Sequence, residues 1–192
     1  MKGIKMVAQM DLDLVREIYR DPELFERISE EGTDRDDFFI DDEAMYYALQ
    51  NPAGDVIGIG QFEFENATTL QGHCNVLAPY RKDYAGEVGK ALLMWFVFHS
   101  PKTVEKLQVE IPWIYPDVIG FVTKHGFVHE GLKRLSIRKK GHLVDTWLGG
   151  ITRREAFNWL LDNVDHATLR HFRRHQSFTE KGINTEGAQW AQ

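Results

Sequence analysis

The stretch VLAPYRKDYAGEVGKALLMWF, residues 76–96, connects the end of a predicted strand to a long apolar helix. The large apolar residues recur at the spacing of one buried helical face, at Val88, Leu92, Trp95 and Phe96. Two small residues, Ala85 and Gly86, stand where this helix is expected to begin, and the unpaired N–H groups of a helix start bind anions. The stretch therefore predicts an anion-binding turn, although a loop with a packing glycine would have the same sequence.

The composition indicates one globular domain. The chain has 192 residues, 43% hydrophobic and 27% charged, which is enough for one well-filled core and short for two. We expect a single domain over residues 1–165 and a basic, then polar, extension over residues 166–192. The formal net charge of −6 makes nucleic acid an unlikely partner, because a general nucleic-acid binder needs an excess of Lys and Arg.

Acidic and basic residues are concentrated in different parts of the chain. Residues 11–43 contain fourteen acidic residues and four arginines, whereas residues 131–154 contain seven basic residues and one aspartate. This distribution suits an enzyme with an anionic cofactor or a cationic substrate, and solvated charged faces produce it as well.

Cysteine usage and hydropathy predict the compartment. The single cysteine, Cys74, forms no internal disulfide, which is typical of a reducing environment. The N-terminal residues lack the apolar core of a signal peptide, and no apolar run reaches membrane-spanning length. We therefore expect a cytoplasmic protein with no membrane partner.

Hydrophobic periodicity predicts an α/β order of elements. Helices are expected to begin at Asp11 and Asp21, since aspartate accepts hydrogen bonds from the free N–H groups of a helix start. The turn sequence of residues 51–54 predicts a hairpin between strands 44–50 and 56–65. The other predicted strands cover residues 3–9, 68–77, 107–111, 127–130, 135–138 and 143–148. Further helices are predicted over residues 116–125 and from the capping box that begins at Thr152.

Three segments, in this order, resemble the GNAT acetyltransferase superfamily. Residues 76–96 are similar to its acyl-coenzyme-A loop, in which V-x-P-x-Y-R and R/Q-x-x-G-x-G/A lead from a strand into a helix. YPDVIGFVTKHGF, residues 115–127, is similar to its N-x-x-A-x-x-x-Y-x-K-x-GF helix and strand. EGLKRLSIRKKGHLVDTWLGGITRREAF, residues 130–157, is similar to the ending of the ribosomal-protein N-terminal acetyltransferase branch. The resemblance implies a mixed, twisted, mostly antiparallel sheet that splays at its centre and is flanked by helices.

The resemblance also implies acetyl-CoA as a co-substrate whose pantetheine arm lies in the splayed sheet. Backbone contacts to this arm map to Val76, Leu77 and Ala78. The diphosphate maps to the turn and its neighbouring cations, namely Arg81, Lys82, Tyr84, Ala85, Gly86 and Glu87. The next helix flanks the coenzyme through Tyr115, Phe121 and Lys124. The loop departs from the family pattern, because Tyr84 stands where an alignment on Arg81 and Gly86 expects the first glycine.

Acetyl transfer needs a base that takes a proton from the amine and an acid that protonates the departing thiolate. His73 is the candidate base because the ordinary pKa of histidine is near neutral, and a sheet histidine paired with a neighbour is the alternative. Glu63 is a candidate for binding a cationic amine or relaying its proton, although carboxylates on a strand commonly face water. Tyr115 is the candidate acid, with packing ahead of Pro116 as the alternative.

Other reactive side chains have simpler explanations. Cys74 is a candidate acyl-carrying nucleophile, but nothing nearby in the sequence activates it, and a buried strand thiol is the commoner case. His171 and His175 lie one helical turn apart, as metal ligands do, yet their arginine neighbours indicate a solvated basic segment. We therefore expect no metal site.

Two functions from different classes are consistent with these features. The first is an N-acetyltransferase that moves an acetyl group from acetyl-CoA to a protein N-terminus or a small amine by direct attack. The second is a catalytically silent GNAT-like module for binding or assembly. Residues 72–93 and 111–127 also resemble GNAT-like proteins of tailed phages, which implies a host-cytoplasmic or virion location. In that case the C-terminal extension is a docking arm for a homodimer or an assembly partner.

Overall fold

The computed structural model describes residues 3–9 and 11–175. These residues form seven strands and six helices, joined by loops. The strands are β1 (Lys5–Gln9), β2 (Met45–Gln50), β3 (Val56–Asn66), β4 (Thr69–Val76), β5 (Lys106–Pro112), β6 (Val128–Lys139) and β7 (His142–Thr152). The helices are α1 (Leu12–Tyr19), α2 (Pro22–Ile28), α3 (Ala78–Phe98), α4 (Pro116–Lys124), α5 (Arg153–Asn163) and α6 (His166–His175). None of these helices is both long and apolar enough to cross a membrane.

The strands form one mostly antiparallel sheet in the order β1-β2-β3-β4-β5-β7-β6. β4 and β5 are parallel and pair only over three residue pairs, from Thr69 with Lys106 to Gln71 with Gln108. Beyond these pairs the two strands continue to Val76 and Pro112 without pairing to each other. The sheet therefore splays at its centre, and the predicted fold class is confirmed.

Two hydrophobic cores lie on opposite faces of the sheet. On one face α3, α4, α5 and α6 pack around Phe62 and Trp95, whose stacked rings have centroids 4.0 Å apart. On the other face α1 and α2 cover the sheet through Val15, Tyr19 and Leu24. The gap between β4 and β5 thus lies between two helical layers.

The predicted hairpin and helix starts are present. β2 and β3 pair as antiparallel neighbours. The side chains of Asp11 and Asp21 accept hydrogen bonds from backbone N–H groups two and three residues further along the chain. Thr152 and Glu155 form the capping box at the start of α5. Local side-chain chemistry therefore sets these boundaries.

The start of α3 differs from the prediction. The helix begins at Ala78, so residues 84–87 lie inside it and the predicted turn at Ala85 and Gly86 was wrong. Pro79 occupies the first helical turn, where its missing N–H would have no partner anyway. A single Gly86 lowers helix stability by only about 1 kcal/mol, which the buried face of α3 offsets. The N–H groups of residues 84–87 therefore point back along a helix and not into a free turn.

β6 is one long strand where two short strands were predicted. Its pairing with β7 shifts between residues 129 and 131 and again between residues 133 and 137. Leu135, in the second irregularity, has a φ of 47°, and its N–H donates to the Asp145 carboxylate at 2.8 Å. These irregularities interrupt the alternation of side chains along β6. The alternation of apolar and polar residues in the sequence therefore predicted two short strands in place of one.

The β6–β7 hairpin closes onto the C-terminal end of α2. Lys139 is 4% exposed, and its ammonium group donates to the carbonyl oxygens of Glu26 (2.8 Å), Arg27 (3.1 Å) and Ser29. Burial lowers the pKa of Lys139. Because carbonyl groups at a helix end lack intrahelical partners, this side chain satisfies the end of α2 and ties it to the far half of the sheet.

α6 is formed by the first residues of the segment that was predicted to be a basic extension. Leu169 and Phe172 are buried in the main core, so this part of the segment packs against the domain. The predicted docking arm, residues 176–192, lies outside the described residues.

Arg153 joins the start of α5 to the C-terminal end of α3. Its guanidinium group donates to the backbone carbonyl oxygens of Phe96, Val97, Pro101 and Val104 and to the hydroxyl of Ser100. These contacts measure 2.6 to 2.8 Å. One side chain therefore organises the entire α3–β5 connection.

Candidate active site

The gap between β4 and β5 opens into a cavity of about 600 Å³. Its lining includes Tyr19 and Leu24 from the α1–α2 layer, and Leu92 and Phe121 from the α3–α4 layer. The cavity therefore passes through the sheet from one face to the other. Its volume is that of a small-molecule site.

A row of polar side chains crosses one face of the gap. Gln61 on β3 pairs with His73 on β4. In the closed part of the β4–β5 pairing, Gln108 donates to Gln71 at 3.4 Å, so both point to this face. Side chains two residues apart on a strand share a face, so His73 and Glu110 face the same way from opposite edges of the gap. Both line the cavity.

His73 has the properties expected of a general base. Burial lowers the pKa of His73, and the nearby carboxylates of Glu63 and Glu110 raise it by less. The imidazole is therefore neutral at neutral pH and can accept a proton. Because His73 lies at the edge of the gap, a ligand in the cavity can reach its imidazole ring.

The lowered pKa of His73 predicts a pH dependence. We expect the ring, followed by NMR, to titrate below the ordinary value of 6.5. The unfolded chain then binds the proton at higher pH than the folded protein, so the free energy of unfolding falls as the pH drops from above 6.5 through the lowered pKa. Denaturant unfolding at about pH 7.5 and about pH 5.5 measures this loss, which His73→Asn should reduce. Titration of the ring above its ordinary value would contradict the expectation.

A chain of hydrogen bonds lies beside His73. Asn75 donates to the hydroxyl of Tyr19 at 3.2 Å, and this hydroxyl donates to the side-chain oxygen of Gln61 at 2.5 Å. Gln61 in turn donates to the carboxylate of Glu63. Burial raises the pKa of Tyr19, so its hydroxyl keeps its proton. The chain fixes Glu63 near the candidate base.

The far end of the polar row carries the hydroxyl of Tyr46, which is buried and has no hydrogen-bond partner among the described residues. The backbone of Asp41 lies near this oxygen without completing a hydrogen bond of normal geometry. Burial, followed by the charge of Glu63, raises the pKa of Tyr46 to about 12. The carboxylate of Glu63 therefore lies near this end of the row without lining the cavity, and Glu110 at the other end lines the cavity and is paired with Lys133 of β6.

The opposite face of the gap is apolar. The thiol of Cys74 points to this side, together with Phe62 and Leu92. Cys74 is exposed to the cavity but enclosed by protein, and burial raises its pKa to about 12. The thiol is therefore protonated at neutral pH and is not an activated nucleophile.

The edge of β4 offers backbone groups to the gap. Along a strand these groups alternate between the two neighbouring strands. The N–H of Leu77 donates to β3 at 2.9 Å, so beyond the paired residues the backbone groups of Cys74 and Val76 face the gap. The Val76 carbonyl accepts from Nε of Arg81 at 2.8 Å. An extended ligand with amide groups can pair along this edge as an added strand.

The structure places some of the residues predicted to contact the coenzyme at the cavity and others away from it. Val76 ends β4 and lines the cavity, whereas Leu77 caps α3 and donates its N–H to β3, and Ala78 begins α3 outside the lining. From the predicted diphosphate site, Arg81 and Ala85 line the cavity. The remaining members of that site lie inside α3 away from the lining, namely Lys82, Tyr84, Gly86 and Glu87.

A different glycine has the packing role on α3. A Cβ atom at Gly89 would lie 2.3 Å from Nε2 of His125, so only glycine leaves room for this ring between α3 and α4. Nδ1 of His125 lies 2.8 Å from the carbonyl oxygen of Phe121. At Gly86, by contrast, an added Cβ would meet no atom within 4 Å.

Three predicted residues belong to α4 or its start. Tyr115 lines the cavity, and its hydroxyl donates to the carbonyl oxygen of Glu26 at 3.3 Å. Burial raises the pKa of Tyr115. Phe121 lines the cavity as well, whereas Lys124 is exposed outside it.

Sequence reasoning missed several side chains that line the cavity, namely Tyr19, Arg27, Gln61, Asn75 and Glu110. Glu110 had a weak signal, as an acidic residue within a strand of alternating apolar residues. The others became visible only once the strand pairing and the packing of α1 and α2 on the sheet were known. Across the described residues no group of His, Cys, Asp or Glu has the arrangement of a metal site, and the side chain of His175 lies outside this description.

Comparison with known proteins gives structural matches only. No family model matches the sequence, and no curated protein matches it. Spermidine N-acetyltransferase from Vibrio cholerae, solved with CoA and spermine, has a TM-score of 0.66 at 13% identity, covering 81% of this chain and 98% of its own. Mutant forms of the same enzyme give 0.66 at 13% identity, covering 82% and 98%. The enzyme solved with manganese ions gives 0.64 at 14% identity, covering 81% and 96%. At such identities the likeness shows the fold, and the chain therefore has the GNAT fold.

Proposed function

We propose that the protein is an N-acetyltransferase that moves an acetyl group from acetyl-CoA to a primary amine. The main support is the gap itself, which has His73 and Glu110 at its polar edges and backbone groups of β4 facing into it. The Vibrio cholerae enzyme of the same fold was solved with CoA and spermine. We also propose a cytoplasmic location, because the single cysteine forms no internal disulfide.

In this proposal the two faces of the gap have different roles. The pantetheine arm lies on the apolar face and pairs with the edge of β4 near Cys74 and Val76. The acceptor enters from the polar face, where the carboxylate of Glu63 beside His73 favours a cation and Glu110 is already paired with Lys133. A protein N-terminus and a small amine both meet this requirement.

The reaction begins when the neutral amine nitrogen attacks the thioester carbonyl carbon and forms the C–N bond. His73 takes the proton that the nitrogen loses, directly or through a relay that includes Glu63. The C–S bond then breaks, and the thiolate accepts a proton. Tyr115 is the proposed donor, because its 3.3 Å hydrogen bond to Glu26 is long for a hydroxyl and is readily exchanged.

Calorimetric titration with acetyl-CoA, followed by a thiol-release assay with spermine or a short peptide, tests the proposal. We expect binding and an acetylated amine. Cys74→Phe should abolish binding because the larger ring fills the gap, whereas Cys74→Ser keeps the size of the side chain and should bind like the wild type. Absence of binding at millimolar acetyl-CoA, with no product from any amine, would contradict the proposal.

One observation favours a second function, a binding or assembly module without coenzyme chemistry. α3 begins at Ala78, so the amides of residues 84–87 are not presented to a diphosphate. A module of this kind would use the same fold without turnover, alone or with an assembly partner. It predicts that the titration described above shows no binding.

A further inference from the structure

Four charged side chains form an alternating row across the mouth of the gap. Arg81 on α3 pairs with Glu23 on α2 at 2.5 Å. Arg27, one helical turn beyond Glu23, pairs with Asp117 on α4 at 2.9 Å. Because α3 follows β4 and α4 follows β5, these ion pairs connect the two sides of the gap through α2.

α2 carries the middle two residues of this row. It has seven residues, and Leu24 is the one that is fully buried. Phe25 and Ile28 add apolar contacts, and the buried Lys139 holds the C-terminal end of α2, whereas the attachments of α2 at the mouth of the gap are the ion pairs of the row. Polar contacts at a surface exchange readily with a charged ligand.

The cavity lining contains two permanent cations, Arg27 and Arg81, and its other basic side chains are the rings of His73 and His125. The amides of residues 84–87 are engaged within α3, so a phosphate-bearing ligand in the gap needs other partners. Guanidinium groups suit this role because they donate two parallel hydrogen bonds to phosphate.

We propose that Arg27 and Arg81 bind the phosphate groups of the ligand that enters the gap, and that Glu23 and Asp117 occupy these arginines until it arrives. The inference rests on the proposed function, in which this ligand is the phosphorylated coenzyme. The side chains of Glu23 and Asp117 are 56% and 61% exposed, so water weakens both ion pairs. The coenzyme carries several phosphate groups, whose combined negative charge exceeds that of either carboxylate, and it therefore displaces the carboxylates from the guanidinium groups.

Titration of the full chain with CoA, with pantetheine, which lacks phosphate, and with inorganic pyrophosphate tests the site. Arg27→Gln should weaken CoA binding about tenfold, the effect of one charge-assisted contact. Glu23→Gln should strengthen it about threefold, because it releases Arg81. Pantetheine affinity should be equal in all variants. Arg134→Gln, which removes an exposed arginine of β6, controls for net charge, and thermal unfolding checks that each variant folds.

Each outcome separates this site from the transferase proposal. CoA binding that changes less than about twofold in both Arg27→Gln and Glu23→Gln would overturn the phosphate site and leave the transferase proposal standing. A protein that does not bind CoA, but binds pyrophosphate in a manner that Arg27→Gln abolishes, would support the site and overturn the transferase proposal. Absence of binding for all three probes would overturn both.

Discussion

Replacing His73 with alanine is expected to slow acetyl transfer about 100-fold or more while leaving the affinity for acetyl-CoA unchanged. The ring lies on the polar face of the gap, and its lowered pKa keeps it neutral and able to accept the amine proton. The proposed coenzyme contacts lie on the apolar face, along the backbone of β4 and at Arg27 and Arg81, none of which this substitution alters. Steady-state kinetics of thiol release should therefore show a lower kcat, and calorimetry an unchanged Kd for acetyl-CoA.

The matched control for this experiment is His142→Ala, which removes an exposed histidine at the start of β7. Its kinetics should equal those of the wild type. If His73→Ala also turns over at the wild-type rate, His73 takes no part in the mechanism, and Glu110 at the opposite edge becomes the candidate base.

Replacing Arg153 with methionine is expected to lower the free energy of unfolding by about 3 kcal/mol, because it leaves backbone carbonyl oxygens around the end of α3 without their charged donor. Methionine keeps much of the apolar stem, so the loss reports mainly the guanidinium contacts to Phe96, Val97, Pro101 and Val104. For a domain of this size the melting temperature should fall by about 10 °C. Calorimetry and denaturant unfolding measure the two quantities.

Arg154→Met is the control for this substitution, because Arg154 is the exposed neighbour with the same charge. Its stability should change by less than about 0.5 kcal/mol. Equal effects of the two substitutions would show that net charge, and not the hydrogen bonds of Arg153, stabilises the α3–β5 connection.

The sequence predicted the parts of the fold that depend on local chemistry. Aspartate caps, the capping box at Thr152 and the turn between β2 and β3 each act within a few residues, so their positions follow from residue type. The splayed sheet was predicted from the resemblance of three segments to one superfamily. Both sources placed the start of α3 too late, because Ala85 and Gly86 fit a helix interior as well as a turn, and the buried face of α3 stabilises the helix through them.

Contacts between distant residues account for what the sequence did not reveal. From the sequence, Arg153 and Lys139 were interpreted as surface charges. In the structure each side chain donates to backbone carbonyl groups far away along the chain. Glu110 meets the site only because β5 is parallel to β4 and aligned so that it stands opposite His73. α6 was missed because its apolar residues, Leu169 among them, are few and lie within a strongly basic segment.

The border of the sheet shows how the protein limits self-association. β6 is the outermost strand, with Val128, Leu132 and Leu135 all exposed, and a long straight edge of this kind invites another chain to pair with it. Its two shifts in pairing bend the backbone away from the extended geometry that a stacking neighbour requires. The exposed Arg134 adds a positive charge that repels the same strand of a second copy. The strand that carries the greatest risk of polymerisation therefore opposes it through its own shape and charge.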